Sequence, residues 1–217
     1  MVPLQFLRWN PDLLAAAIER GPSRRLRMFK RSLDLLFSLA LGVVLLPFLP
    51  IIMLGIKLDS PGPVFYSQTR LGKGGRRFRI HKFRSMVADA EANGAAFATA
   101  NDARVTRFGW FMRRTRIDEL PQLWCVIRGD MSVIGPRPER PEHMARIEAE
   151  IPEFPMRLAV KPGLTGWAQI SYRYAGTLDE LRTKLEYDLY YIQFATIWME
   201  IRILLHTVRV VLRFKGQ

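Results

Sequence analysis

LLFSLALGVVLLPFLPIIMLGI, residues 35–56, is a run of 22 residues without a charge. At about 1.5 Å per residue a helix of that length extends roughly 33 Å, enough for the hydrocarbon core of a bilayer. Two features argue against a simple crossing. Pro47 and Pro50 stand inside the run, and proline removes a helix hydrogen bond and bends the axis. Both flanks are basic, with Arg24, Arg25, Arg27, Lys30 and Arg31 before the run and Lys57, Arg70, Lys73, Arg76 and Arg77 after it. Lys and Arg concentrate on the cytoplasmic side of membrane proteins. Two basic flanks are reconciled by a helix that enters, bends at the prolines and returns to the same face. A kinked transmembrane anchor is the main rival. A soluble-core helix fits the length and the basic flanks poorly.

Outward from the run, 217 residues suit one domain with appendages. The net charge of +13 implies an anionic partner: nucleic acid, an acidic membrane surface or a phosphorylated small molecule. Nucleic acid accounts for the charge but not for the apolar run. One cysteine, Cys125, excludes an intrachain disulfide and reads as a buried small hydrophobe. His81, His143 and His206 have no metal-ligand spacing. No cleavable signal peptide is expected, because the apolar run starts late and follows an Arg-rich segment.

Asn10-Pro11 predicts a helix start, continuing through Asp12 to Arg20 and stopped by Gly21-Pro22. Asp59-Ser-Pro-Gly-Pro63 is a rigid turn. Strands over 64–68 and 78–83, joined by the turn at Gly72-Lys-Gly-Gly75, form a hairpin with a basic loop. Residues 87–100 read as a short helix and a loop broken at Asn93-Gly94. A helix is expected over 118–127 with Asp118 as cap, then a turn at Gly129-Asp-Met-Ser132. A second helix is expected over 138–150, then a turn-rich loop over 161–166. Thr177-Leu-Asp-Glu180 fits a capping box opening a helix to about Ile192. In the last segment Arg202, His206, Arg209 and Arg213 oppose Trp198, Ile201, Leu205, Val208 and Leu212. Such a helix suits the membrane interface, or packs on the core as a surface helix. The expected fold class is α/β: mostly helical with a small β hairpin, a proline-broken re-entrant helix and interfacial amphipathic helices.

Arg113-Arg-Thr-Arg-Ile-Asp-Glu-Leu-Pro-Gln122 carries the candidate chemistry. From Arg104 through Arg128 there are six arginines, whose donor forks suit phosphate oxygens. Asp118, at a helix start among cations, is expected to stay ionised and to serve as an attacker on phosphorus. Glu119 is a candidate Mg²⁺ ligand. On spacing alone the pair also reads as a helix cap and dipole complement. In Gly135-Pro-Arg-Pro138 two prolines fix the backbone around Arg137, just before an expected helix N-terminus that favours anions. A rigid turn with a solvated Arg is the alternative. Lys82 and Arg84 are further phosphate-binding candidates.

Together these residues resemble the bacterial sugar transferases, the monotopic polyprenyl-phosphate phosphoglycosyl transferases. The resemblance runs in order through Lys30-Arg31 before the broken helix, Ser60-Pro-Gly-Pro-Val-Phe-Tyr66, Lys82-Phe-Arg-Ser-Met86, Arg116-Ile-Asp-Glu-Leu-Pro-Gln122, Gly129-Asp-Met-Ser-Val-Ile-Gly-Pro-Arg-Pro138 and Lys161-Pro-Gly-Leu-Thr-Gly-Trp-Ala-Gln169. Gly135-Pro-Arg-Pro-Glu-Arg-Pro141 and Tyr187-Asp-Leu-Tyr-Tyr-Ile192 look most like the exopolysaccharide-priming members. The resemblance implies transfer of a sugar-1-phosphate from a UDP-sugar to undecaprenyl phosphate at the cytoplasmic face of the bacterial inner membrane, beside other polysaccharide-assembly enzymes. It implies Asp118 as nucleophile, Glu119 (with Asp118) as Mg²⁺ ligand, and Lys82, Arg137 and Arg113 in the phosphate region. It divides the chain into residues 1–29 (a short helix and basic linker), 30–58 (the re-entrant helix) and 59–217 (the catalytic domain). Gln193-Phe-Ala-Thr196 departs from the family's usual continuation. With only 29 residues ahead of the shared region, the chain resembles the small form of the family or an excised catalytic unit. A conventional glycosyltransferase releasing UDP, and a basic membrane-surface scaffold, remain as rival functions. The sugar is not legible, with a hexose-1-phosphate for exopolysaccharide as the expectation.

Overall fold

The computed structural model describes residues 10–91, 102–172 and 177–212. Helix α1 (Pro11–Arg20) begins where the sequence predicts. The Asn10 Oδ1 accepts from the N–H groups of Asp12 and Leu13, and Gly21 ends the helix at φ 63°. Helix α2 (Arg24–Leu45), a 3-10 turn (Leu46–Phe48) and helix α3 (Leu49–Asp59) then form one kinked run, broken at the prolines. By length and composition this run suffices to cross a membrane.

Both flanks of the run are fastened to the same folded unit. On the α2 side, Arg31 donates to the carbonyls of Val126 (2.9 Å) and Ile127 (2.8 Å). The Asp34 Oδ1 accepts from Ser132 Oγ at 2.8 Å and from the Val133 N–H at 2.7 Å. On the α3 side, Ile52 and Ile56 are buried in a cluster with Val64, Phe83 and Met112. Asp59 accepts from the Phe108 N–H at 2.8 Å. Between these anchors the outer side chains stand free of protein, with Leu36 70% and Val43 66% exposed.

Strands β1 (Phe65–Leu71) and β2 (Arg77–Phe83) form the expected antiparallel hairpin, in register from Phe65↔Phe83 to Leu71↔Arg77. The helix expected after it is absent from its described part. Residues 88–91 form a turn, and Asn93-Gly94 lies outside the described residues. Helix α4 (Arg107–Thr115) was not expected. Thr106 caps it by accepting from the Gly109 N–H, and Arg116, at φ 63°, ends it. The helix expected from Asp118 divides into a 3-10 turn (Ile117–Gln122) and α5 (Leu123–Arg128). Asp118 therefore lies inside the turn and caps nothing. Its predecessor but one, Arg116, is left-handed, which a regular helix start does not allow.

Strand β3 (Ser132–Ile134) pairs in parallel with β4 (Gly163–Thr165), where the sequence suggests only a turn and a loop. Three-residue strands are too short to reveal alternation. Helix α6 (Pro141–Glu150) starts three residues later than expected, because Pro141 biases Arg140 toward extended backbone. A 3-10 segment (Phe154–Ala159) and α7 (Trp167–Ser171) follow. Helix α8 (Leu178–Phe194) opens on the predicted capping box, and α9 (Ile197–Leu212) closes the described chain. The fold is mostly helical with two small sheets.

Helix α9 turns Glu200 and Ile203 inward. Trp198 (78% exposed), Leu205 and Val208 remain outside beside the exposed Arg202, His206 and Arg209, while Arg213 lies outside the described residues. The other exposed aromatics include Trp110 and Phe111 on α4 and Trp124 on α5. All three helices touch the kinked run. Cys125 is fully buried and free, as read from its apolar neighbours.

Candidate active site

The site forms where β2, the turn after α4 and the loop after β3 converge. Left-handed Arg116 folds the chain back so that Asp118 and Glu119 point inward, 6% and 7% exposed. Strand β2 runs beside this turn and delivers Lys82, whose Nζ donates to Glu119 Oε1 at 2.9 Å. From the Gly135-Pro-Arg-Pro138 loop, Arg137 Nη2 donates to the same oxygen at 2.6 Å. Arg116 Nη1 lies 3.7 Å from Glu119 Oε2. One buried carboxylate is thus bracketed by three cations.

Asp118 differs from its neighbour. Among the described residues nothing donates a hydrogen bond to its carboxylate. Burial pushes its carboxyl up to about 6 and the Glu119 charge adds to this, against Lys82, Arg113 and Arg137. The cations favour the Asp118 anion, as expected, but desolvation outweighs them and raises the carboxyl. It remains mostly ionised at neutral pH. For Glu119, burial again opposes the anion, but Arg137, Lys82 and Arg116 overcome it and hold the carboxyl well below the usual range.

The Gly135–Pro138 loop is held at several points. The Gly135 N–H donates to Thr165 O and the Gly163 N–H to Pro136 O, each at 2.8 Å. A Cβ on Gly135 would meet the Lys161 carbonyl oxygen at 2.5 Å, so only glycine allows this approach. Lys30 of α2 donates to the Ile134 carbonyl at 3.0 Å, and also to Tyr191 and Glu200. Behind the loop Glu139 lies 3.8 Å from Arg70, 3.7 Å from Arg157 and 3.5 Å from His143. Burial raises its carboxyl, but the His143 hydrogen bond and the charges of Arg157, Lys184 and Arg70 bring it to about 2.

Lys82, Asp118, Glu119 and Arg137 are therefore assembled as the sequence suggested. Arg113 lies near enough for its charge to act on Asp118, and its Nε donates to Ser85 Oγ at 3.0 Å. Arg137 does not sit at a helix N-terminus, since α6 begins at Pro141. Arg84 leaves the phosphate candidates: its guanidinium donates to the carbonyls of Pro61 (2.9 Å) and Ser60 (2.6 Å), locking the turn after α3. Arg116 and Gln169 were missed as site residues. Arg137 Nη1 donates to Gln169 Oε1 at 3.4 Å. Both lie within quoted motifs, but neither type nor spacing reveals that they converge.

Among the described residues no group of three or more His, Cys, Asp or Glu gathers for a metal. Mg²⁺ needs only one or two protein carboxylates when phosphates and water complete its shell. Asp118, whose carboxylate accepts from no donor among the described residues, fits that demand. Glu119 fits it once Lys82 or Arg137 turns to another anion.

Residues 25–214 match the family described as bacterial sugar transferase. The chain is 45% identical over 195 residues to the UDP-N-acetylgalactosamine-undecaprenyl-phosphate N-acetylgalactosaminephosphotransferase of Aeromonas hydrophila, covering 88% of this chain and 45% of that protein. It is 41% identical over 192 residues to the UDP-glucose:undecaprenyl-phosphate glucose-1-phosphate transferase of Escherichia coli, covering 88% and 40%. It is 43% identical over 188 residues to the exopolysaccharide production protein PSS of Rhizobium leguminosarum, covering 83% and 94%. The chain thus spans less than half of the first two relatives and nearly all of the third. With most of its length matched and its signature motifs meeting in one site, the chain belongs to the bacterial sugar transferase family.

Proposed function

We propose that the protein is a phosphoglycosyl transferase that moves a sugar-1-phosphate from a UDP-sugar to undecaprenyl phosphate, the priming step of an exopolysaccharide or related glycoconjugate. The names of its relatives support this substrate pair. The observation that carries the chemistry is the contrast within the dyad: among the described residues no donor reaches the Asp118 carboxylate, beside a Glu119 clasped by cations.

An Asp118 oxygen attacks the β-phosphorus of the UDP-sugar. The new Asp–O–P bond forms as the bond from that phosphorus to the bridging oxygen breaks, and UMP leaves with the electron pair. A phosphate oxygen of the polyprenyl acceptor then attacks the same phosphorus, and the Asp118 carboxylate departs. Splitting the transfer lets a soluble and a lipid substrate use one site in turn. Lys82, Arg113 and Arg137 hold the phosphate oxygens in fixed positions and offset their growing charge. Asp118, with Glu119 beside it, would hold Mg²⁺, which neutralises diphosphate charge.

The kinked run is read as re-entrant, with the catalytic unit on the cytoplasmic face of the inner membrane. Docking of both flanks on one unit supports this, as do the exposed Trp110, Trp124 and Trp198 on helices that touch the run. Tryptophan suits the headgroup level, where an acceptor phosphate lies. The test is UMP release from a panel of UDP-sugars with undecaprenyl phosphate in Mg²⁺-containing nanodiscs. UMP supports the reading, UDP points to a conventional glycosyltransferase, and no nucleotide product from any sugar sinks it.

A further inference from the structure

The cations assigned above to phosphate are engaged by a carboxylate of the protein itself. Lys82 and Arg137 converge on a single oxygen of Glu119 at 2.9 and 2.6 Å. Arg137 Nη1 also reaches Glu119 Oε2 at 3.5 Å, with Arg116 Nη1 at 3.7 Å from that oxygen. Two cations closing on one anionic oxygen is the arrangement that a non-bridging phosphate oxygen would meet. The charge balance agrees. Four cations (Lys82, Arg113, Arg116 and Arg137) act on two carboxylates, leaving a positive surplus suited to a diphosphate rather than a neutral ligand.

We propose that Glu119 is an internal stand-in for substrate phosphate: its carboxylate keeps Lys82 and Arg137 aimed at one point, and an arriving diphosphate displaces it. The inference rests on the reading of the site as one for a nucleotide diphosphate. It gives Glu119 a role in the ligand-free protein that a metal ligand alone does not have. The clamp is preorganised without repulsion among its cations, since like charges brought together in a poorly hydrated site need a counter-charge. The cost falls on affinity, because the diphosphate must compete with Glu119 for the same donors. Glu119, once displaced, is a buried carboxylate without its partners, and therefore a receptive ligand for a divalent cation arriving with the substrate.

The test measures inorganic pyrophosphate and UMP binding by titration calorimetry, on the full chain in nanodiscs with a chelator present. Glu119→Gln keeps the shape and removes the competing charge. It is expected to bind pyrophosphate about tenfold or more tighter than the parent, the scale of one charge-assisted hydrogen bond. The gain should vanish when Lys82→Met is added, because the released donor is then missing. Glu119→Asp, which retracts the carboxylate by one methylene, should shift in the same direction by less, and serves if the Gln variant does not fold. Unchanged or weaker pyrophosphate binding in a folded Glu119 variant overturns the proposal and leaves Glu119 as a scaffold for the cations. Pyrophosphate separates this from the activity reading. Tightening without UMP release from any UDP-sugar removes the activity and keeps the stand-in, and UMP release without tightening does the reverse.

Discussion

Glu139 is the counter-charge behind the Gly135–Pro138 loop, and Glu139→Gln measures what it contributes. Its side chain is 13% exposed, against Arg70, Arg157 and His143. Its carboxyl lies near 2, below an ordinary value of 4.5. A depressed carboxyl stabilises the fold above the unfolded value, and that stability is lost as pH falls from about 4.5 toward 2. Lowering the carboxyl from 4.5 to about 2 corresponds to about 3 kcal/mol at neutral pH, at roughly 1.4 kcal/mol for each tenfold change in proton affinity. Glu139→Gln should therefore lose about 3 kcal/mol at pH 7, about 1.4 kcal/mol at pH 3 and about 0.4 kcal/mol at pH 2, where the parent is half protonated. Urea unfolding in detergent micelles at these pH values reads the difference, and subtracting variant from parent cancels the other carboxylates. Because Glu139 lies two residues after Arg137, KM for the nucleotide sugar should rise as well. A penalty that does not change between pH 7 and pH 3 would refute the reasoning, since it would come from packing and not from charge.

Four further outcomes follow from the geometry. Asp118→Asn should lower turnover about a thousandfold or more, and in the parent kcat/KM should fall with acid through about pH 6; an acid limb near pH 4 would show that burial does not govern this group. Gly135→Ala should push the Gly135–Pro138 loop off β4 and cut kcat/KM at least about tenfold, with cost to stability of about 1–3 kcal/mol; unaltered kinetics would deny the close approach to Lys161. Chelation should abolish UMP release and Mg²⁺ restore it, whereas metal-independent release would remove the metal from the site. Cysteines placed by Arg20→Cys and Ser60→Cys should both resist an impermeant thiol reagent applied from the periplasmic side, with buried Cys125 silent; labelling at residue 20 alone would mean that the run crosses.

The local signals carried far. Asn10-Pro11, the hairpin over 64–83 and the capping box at Thr177 rest on contacts within a few residues, and each stands where the sequence places it. Helix α4 was missed although Thr106 is a good cap, because its Arg-rich surface face obscures a short apolar stripe. The parallel pair β3–β4 was missed because its partners lie some 30 residues apart and each strand has only three residues.

By itself the sequence determined the long apolar run, the proline break within it, the basic flanks and the ordered motifs that mark the family. These depend on composition and near-neighbour spacing, which survive without a third dimension. Tertiary structure decided the division of labour among charges. It sent Arg84 to backbone carbonyls, set Lys82, Arg116 and Arg137 on Glu119, and left Asp118 buried without a donor among the described residues. It also placed both flanks of the run on one unit through Arg31, Asp34 and Asp59. A charged side chain's role depends on which opposite charge folding brings within about 4 Å and on how much water is lost there, and neither quantity is written in the order of the residues.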